Sequence, residues 1–151
     1  VLEPISGSKN ITIKVDIDPD IEIYADEKRI SQVLRILVDN AIKYSDKDGS
    51  IEITAHDHYR GSFNPKILDG TLIQVKDNGI GIKKEDLPNI FDMFYRSKDV
   101  ANIKGSGIGL NIAQELISLH HGGIYVDSVY GKGSTFSIFL PRLKQSVEEG
   151  D

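Results

Sequence analysis

The sequence predicts an α+β domain in two layers, with about five strands and three helices packed on one face of the sheet. Short runs of alternating apolar residues mark the strands, and apolar residues at helical spacing mark three helices between them. No strand reads as a continuous apolar run, as strands covered on both faces do, so the second face of the sheet should be wetter. With 151 residues and 39% hydrophobic content, the chain can bury one ordinary core and has no room for two. One domain is expected over residues 1–141, followed by a polar tail over 142–151 that is expected to be disordered.

Residues 11–17 alternate strictly, with Ile11, Ile13, Val15 and Ile17 on one face, and a shorter alternation runs through Ile21 and Ile23. Two half-buried strands are expected there. Asp26 is a good N-cap for a first helix in which Ile30, Val33, Leu34, Leu37, Val38 and Ala41 recur at helical spacing, ending near Ser45 to Gly49. Ile51, Ile53 and Ala55 alternate in the next strand, and Leu72 to Lys76 form another. The polar stretch from His58 to Gly70 between them reads as a hairpin loop with no assigned purpose. A short helix is expected over Lys84 to Phe94, where Leu87, Ile90, Phe91 and Phe94 share one side. Tyr95 to Gly107 has few apolar anchors and should be mobile until something orders it. A third helix, Ile108 to His120, turns Leu110, Ala113, Leu116 and Ile117 inward, and Ile124 to Val129 with Thr135 to Leu140 form a closing hairpin.

Several function classes are excluded early. The net charge of −5 provides no global positive field for a phosphate backbone, so nucleic acid is not an expected partner and any bound anion must meet local donors. No cysteine is present, which removes disulfides, thiolate metal sites and a cysteine nucleophile. No apolar run approaches membrane-spanning length: Val33 to Val38 is interrupted by Arg35, and the N-terminus lacks the basic start and apolar middle of a signal peptide.

Four segments carry candidate chemistry. At the end of the first helix, Asn40 lies one turn before Lys43 and Tyr44, so an amide oxygen, an ammonium and an aromatic face can converge. A hard magnesium ion that keeps most of its waters needs only one such protein oxygen beside phosphates. Taken alone, this segment reads first as a polar helix end with a lysine favourable to the dipole. Directly after a strand comes Asp77-Asn78-Gly79-Ile80-Gly81-Ile82. Asp77 could accept from the exocyclic amine of adenine, whereas guanine would present a carbonyl oxygen to the carboxylate; the glycines would let backbone approach the base, or simply form a turn. Gly105-Ser106-Gly107-Ile108-Gly109-Leu110 opens a helix, where free N–H groups can cradle phosphate oxygens. It is neither a P-loop nor a dinucleotide fingerprint, since no Gly-Lys-Ser/Thr and no acidic ribose ligand follows. Gly131-Lys132-Gly133-Ser134-Thr135-Phe136, alone, is a hairpin turn.

In order and spacing together, these segments resemble the ATP-binding catalytic domain of sensor histidine kinases, in the wider group with gyrase, Hsp90 and MutL. The helix end resembles the N box, DNGIGI the G1 box, Ile90 to Arg96 the F box, GSGIGL the G2 box and GKGSTF the G3 box, over roughly residues 10–141. The resemblance implies the Bergerat fold, in which a mixed, mostly antiparallel sheet packs on the helices. It implies Asn40 as the magnesium ligand, Lys43 on phosphate and Tyr44 against the base, with Asp77 on adenine. Nucleotide contacts would also come from Gly79, Gly81, Ile82, Phe94, Gly105, Ser106, Gly107, Ile108, Gly109, Leu110 and Thr135. Lys43 and Arg96 would act on the transferring phosphate, Phe91 and Phe94 would anchor a lid over residues 95–107, and ATP and magnesium would be the cofactors. The same phenylalanines also read as core packing, and Arg96 as a solvated charge.

One position departs from the pattern. Ile36 stands where many histidine kinases carry a second asparagine and the ATP-hydrolysing relatives a glutamate that activates water. Isoleucine cannot act as a base, which argues against an autonomous ATPase. The implied acceptor is a histidine on a separate dimerisation domain. His56-Asp57 only begins such a pattern and alternates away from Ile51, Ile53 and Ala55, as a surface residue does; His120 and His121 close a helix, where its dipole favours a partly charged imidazole. The implied partners are that dimerisation domain and a response-regulator receiver domain, with this chain itself monomeric and cytoplasmic, in a parent that a membrane anchor can hold. A nucleotide-sensing or scaffold domain is the alternative, and a hydrolysing ATPase a third.

Overall fold

The first helix starts where a carboxylate can cap it. Asp26 accepts from the backbone N–H of Lys28 at 3.0 Å and Arg29 at 3.2 Å, and α1 runs over Glu27–Tyr44. It ends at Ser45, whose hydroxyl turns back to the carbonyl of Ala41 at 2.6 Å. Val33, Leu37, Val38, Ala41 and Ile42 form its buried stripe. Each large side chain so buried contributes about 1.5–3 kcal/mol.

The computed structural model describes residues 10–23, 25–45, 48–92 and 109–142. Five strands form one sheet: β1 (Thr12–Asp16), β2 (Ser50–Asp57), β3 (Gly70–Asp77), β4 (Gly123–Val129) and β5 (Gly133–Pro141). Their order is β1-β2-β3-β5-β4; β1 pairs parallel with β2 and every other pair is antiparallel. A second helix, α2 (Gly109–Leu119), packs with α1 over the inner face, where Ile51, Ile73, Val75, Ile124, Phe136 and Ile138 close the core. The α+β class and mixed, mostly antiparallel sheet therefore stand as expected. Among the described residues no helix is long and apolar enough to cross a membrane.

Three expected elements differ. The helix over 84–94 is, within the described residues, only a 3-10 turn at Leu87–Asn89, flanked by three-residue bonds from Asn89 N to Asp86 O and Asp92 N to Asn89 O. Pro88 lacks the N–H that a longer helix would need. The expected strand at Ile21 to Ile23 has no sheet partner: Asp18 folds the chain in a turn, its carboxylate taking Asp20 N and its carbonyl Ile21 N, and the chain leaves the sheet for α1. Arg142, assigned above to the tail, is tied into the domain. Its guanidinium bonds Asp57, Asp69, the Thr71 hydroxyl and the carbonyl of Glu22. Residues 143–151 lie outside the described residues.

The loop of 58–70 covers part of the outer face. Tyr59 and Phe63 stack at 6.5 Å, Phe63 stacks on Tyr125 at 4.6 Å and Tyr59 meets Phe139 at 6.1 Å. Asn64, itself buried, holds the loop through its side chain to Tyr59 O, Leu68 O and Leu68 N. Leu72, Ser137 and Phe139, which alternation alone places on the wet side, are thereby buried.

Candidate functional site

The predicted site residues at the end of α1 and in the turn after β3 meet at one end of the sheet, where β3 stops at Asp77. The turn that follows is wedged between the end of α1 and the β4–β5 hairpin. Ile80 N donates to Tyr44 O at 3.1 Å, Gly131 N to Ile80 O at 2.6 Å, and Ser50 N to the side-chain oxygen of Asn78 at 2.9 Å. The glycines serve this wedge. A Cβ on Gly79 would strike the Tyr44 carbonyl, and one on Gly81, at φ +75°, would strike the carbonyl of Val129. Protein backbone pressing on protein backbone is enough to require both glycines.

Asp77 is 7% exposed, and its carboxylate accepts Gly79 N at 2.9 Å and the backbone N–H of Ser134. Burial pushes its pKa up from the usual 3.8, and the two backbone donors oppose that shift. The arrangement is a fixed, desolvated acceptor suited to an N–H donor from a ligand.

Across the site, Ile36, Asn40, Lys43 and Tyr44 follow one another along a half-buried stripe of α1. At one end of the stripe, Ile36 packs where α2 begins: a Cβ on Gly109 would sit 3.3 Å from its Cγ2. At the other end, Tyr44 receives the turn after β3. Gly109 and Leu110, the first described residues of α2, are both half-buried. Phe91 lies edge-on to Phe136 at 6.4 Å, a core contact, and its carbonyl accepts from the Asn111 side chain at 3.3 Å.

The model of the family described as histidine kinase-, DNA gyrase B-, and HSP90-like ATPase matches residues 25–144. The chain belongs to that family. Within these histidine kinase-like ATPases, it is 37% identical over 137 residues to the sensor histidine kinase WalK of Bacillus subtilis (strain 168), a match covering 89% of this chain and 21% of WalK. The chain thus spans about a fifth of that relative's length. Among solved structures it is similar to full-length ShkA in complex with AMPPNP, at TM-score 0.75 and 26% identity over 93% of this chain and 27% of ShkA. It is likewise similar to the nucleotide-free catalytic domain of histidine kinase ThkA, at TM-score 0.73 and 29% identity over 93% of this chain and 84% of that domain. ThkA has also been solved in complex with the response regulator protein TrrA.

In the frame of the histidine kinase-like ATPase domain, one predicted contact moves. Thr135 pairs with Lys76 and Asp127 in the sheet, on the face opposite Asp77, so it is not placed to line the site. Ser134, one residue earlier, pairs with Asp77, is buried and donates its backbone N–H to that carboxylate. Strand parity, counted back from the buried Phe136, could have found it. Ser128, also missed, bonds Ile82 N and Ser134 on that same face. The predicted Phe94, Arg96, Gly105, Ser106, Gly107 and Ile108 lie outside the described residues, as does the whole expected lid. His56 is exposed, as expected of a surface histidine. His120 takes the Asp26 N–H on Nε2 at 3.1 Å and bonds the carbonyl of Leu116 through Nδ1 at 2.8 Å, at the end of α2.

Proposed function

We propose that this chain is the catalytic domain of a two-component sensor histidine kinase: it holds Mg-ATP and delivers the γ-phosphate to a histidine on a separate dimerisation domain. The observation that carries this reading is the buried Asp77 carboxylate, held by backbone donors from two turns and open to an N–H donor such as the adenine amine. Guanine would set a carbonyl oxygen against the same carboxylate, so ATP is selected over GTP. Gly79, Gly81 and Ile82 shape the turn beside the base, and Tyr44 flanks it.

Asn40 suits a magnesium ion that arrives chelated by the triphosphate, because one neutral amide oxygen is enough for an ion that keeps its waters and its phosphates. Among the described residues no cluster of three His, Cys, Asp or Glu side chains could hold a metal ion without the nucleotide. Bound magnesium supplies charge neutralisation at the β- and γ-phosphates. Lys43, one turn beyond Asn40, adds positive charge on the same side, and the N-terminus of α2 at Gly109 and Leu110 offers N–H donors to phosphate oxygens. The chain thereby positions the terminal phosphate in line for attack. The partner's imidazole nitrogen forms the new N–P bond, the bond from the γ-phosphorus to the bridging oxygen of ADP breaks, and the imidazole proton passes to an acidic neighbour on the partner.

Ile36 supports transfer over hydrolysis. Its side chain lies against the start of α2, where a water-activating carboxylate would have to stand. The phosphorylated histidine would pass its phosphate to a receiver domain, and the chain would work as a cytoplasmic monomer brought to its acceptor by the parent protein.

The test is incubation with γ-labelled ATP. The chain alone should bind ATP and remain unlabelled, release phosphate no faster than a blank, and label the dimerisation domain of its parent when that is added. Label retained on this chain alone would contradict the assignment of roles. Normal ATP binding with no transfer to the cognate acceptor would favour a nucleotide-sensing domain instead.

A further inference from the structure

Two turns hold the Asp77 carboxylate, and they belong to different parts of the chain. Gly79 N comes from the turn after β3, Ser134 N from the start of β5. The carboxylate keeps its aim only while the two turns keep their spacing. Backbone contacts limit how closely they approach: Gly81 abuts the Val129 carbonyl, and Gly133, at φ +133°, abuts that of Asp77. These contacts prevent the turns from closing further. They do not prevent them from parting.

Two links supply that restraint: the bond from Gly131 N to Ile80 O, at the tip of the hairpin, and the hydroxyl of Ser128 on β4, beside Ser134. The Ser128 hydroxyl accepts Ile82 N at 2.7 Å, donates to Gly133 O at 2.9 Å and lies 2.9 Å from the Ser134 hydroxyl. A serine hydroxyl has one proton to give and two lone pairs to fill. With its proton on Gly133 O, it must receive the proton of Ser134, so all of its capacity is used. One oxygen atom therefore ties the turn after β3 to the hairpin on which Ser134 sits. Removing it leaves the Ile82 N–H and the Gly133 carbonyl without this partner in a partly buried setting, where restoring the bonds requires water to enter between the turns.

We propose that Ser128 is a positioning residue for base recognition: it sets the aim of the Asp77 carboxylate and thereby the strength with which the site tells adenine from a purine lacking the 6-amino group. This rests on the reading of Asp77 as the adenine acceptor. Ser128 itself touches no base.

The experiment compares equilibrium affinities of this chain for Mg-ATP and for the magnesium complex of purine riboside triphosphate, which lacks only the 6-amino group. Wild type should prefer ATP. In Ser128→Ala the ATP affinity should fall about five- to tenfold while purine riboside triphosphate binds as before, so the preference collapses. Ser128→Thr, which keeps the hydroxyl, should retain the preference. Ser128→Cys keeps the shape with a weaker acceptor and should lie between, and it carries the test should the alanine variant not fold. Equal loss for both nucleotides, or an unchanged ratio in the alanine or cysteine variant, overturns the proposal. Should Asp77→Asn also leave the wild-type ratio intact, the adenine assignment has failed and this inference falls with it; a ratio lost in Asp77→Asn but kept in Ser128→Ala refutes the role of Ser128 alone.

Discussion

The two ends of the sheet treat carboxylates in opposite ways. At the end of β3, Asp77 is buried, meets backbone donors and, among the described residues, no side-chain cation, and has its pKa pushed up by desolvation. At the end of β2, Asp57 meets the Arg142 guanidinium, the Thr71 hydroxyl and its neighbour's backbone N–H, and these hold its pKa below 3.8 against the effect of burial; nearby Asp69 is lowered by His58 and Arg142. A charge matched by a cation fastens the fold. A charge kept without one is poised for a ligand, at some cost to the empty domain. The glycine turns belong to the first end, and the aromatic loop of 58–70 to the second.

The largest expected effect breaks this comparison at Asp77. Replacing it with asparagine should weaken ATP binding about 100-fold or more, measured by calorimetry. Because the folded-state pKa is raised above 3.8, the stability linked to this group is present below that value and lost as pH rises through the raised one. The variant without nucleotide should therefore melt no lower than wild type at pH 7. A variant that melts well below wild type would mean that the carboxylate serves the fold.

A smaller effect is expected at the other end. Arg142→Met should leave ATP affinity unchanged and lower stability by roughly 1–3 kcal/mol at pH 7, since Asp57 and Thr71 lose a charge-assisted partner. Here the sign is reversed. The pKa of Asp57 is lowered, so the stability it contributes is present above 3.8 and lost as pH falls through the folded value. The gap between wild type and variant, followed by melting temperature, should narrow in acid. A gap that is constant with pH would place the effect in packing of the arginine stem.

Much of this was legible before any coordinates. The Asp26 cap and the stripe from Ile30 to Ala41 specify α1 locally, and the order of the glycine boxes locates the site. What the sequence hid depends on distant parts of the chain. Gly79 and Gly81 read locally as a turn or as room for a base, and the carbonyls of Tyr44 and Val129 that press on them come from distant parts of the chain. Choosing Thr135 over Ser134 is an error of one residue, which in a strand exchanges the two faces. Tyr59 and Phe63 sit in a polar stretch with no periodicity, so their cover over Phe139 and Tyr125 leaves no pattern. Arg142 follows the last strand and reads as tail until its partners, 71 to 120 residues away, are seen.

The most direct test of where the nucleotide binds is a titration of Mg-ATP into the isotopically labelled chain, followed by amide chemical shifts. The largest changes should fall at Gly79 to Ile82, at Ser134 and at the start of α2, with the loop of 58–70 unmoved. Changes centred on Phe63, Asn64 and Tyr125, with the turn after Asp77 silent, would contradict that placement.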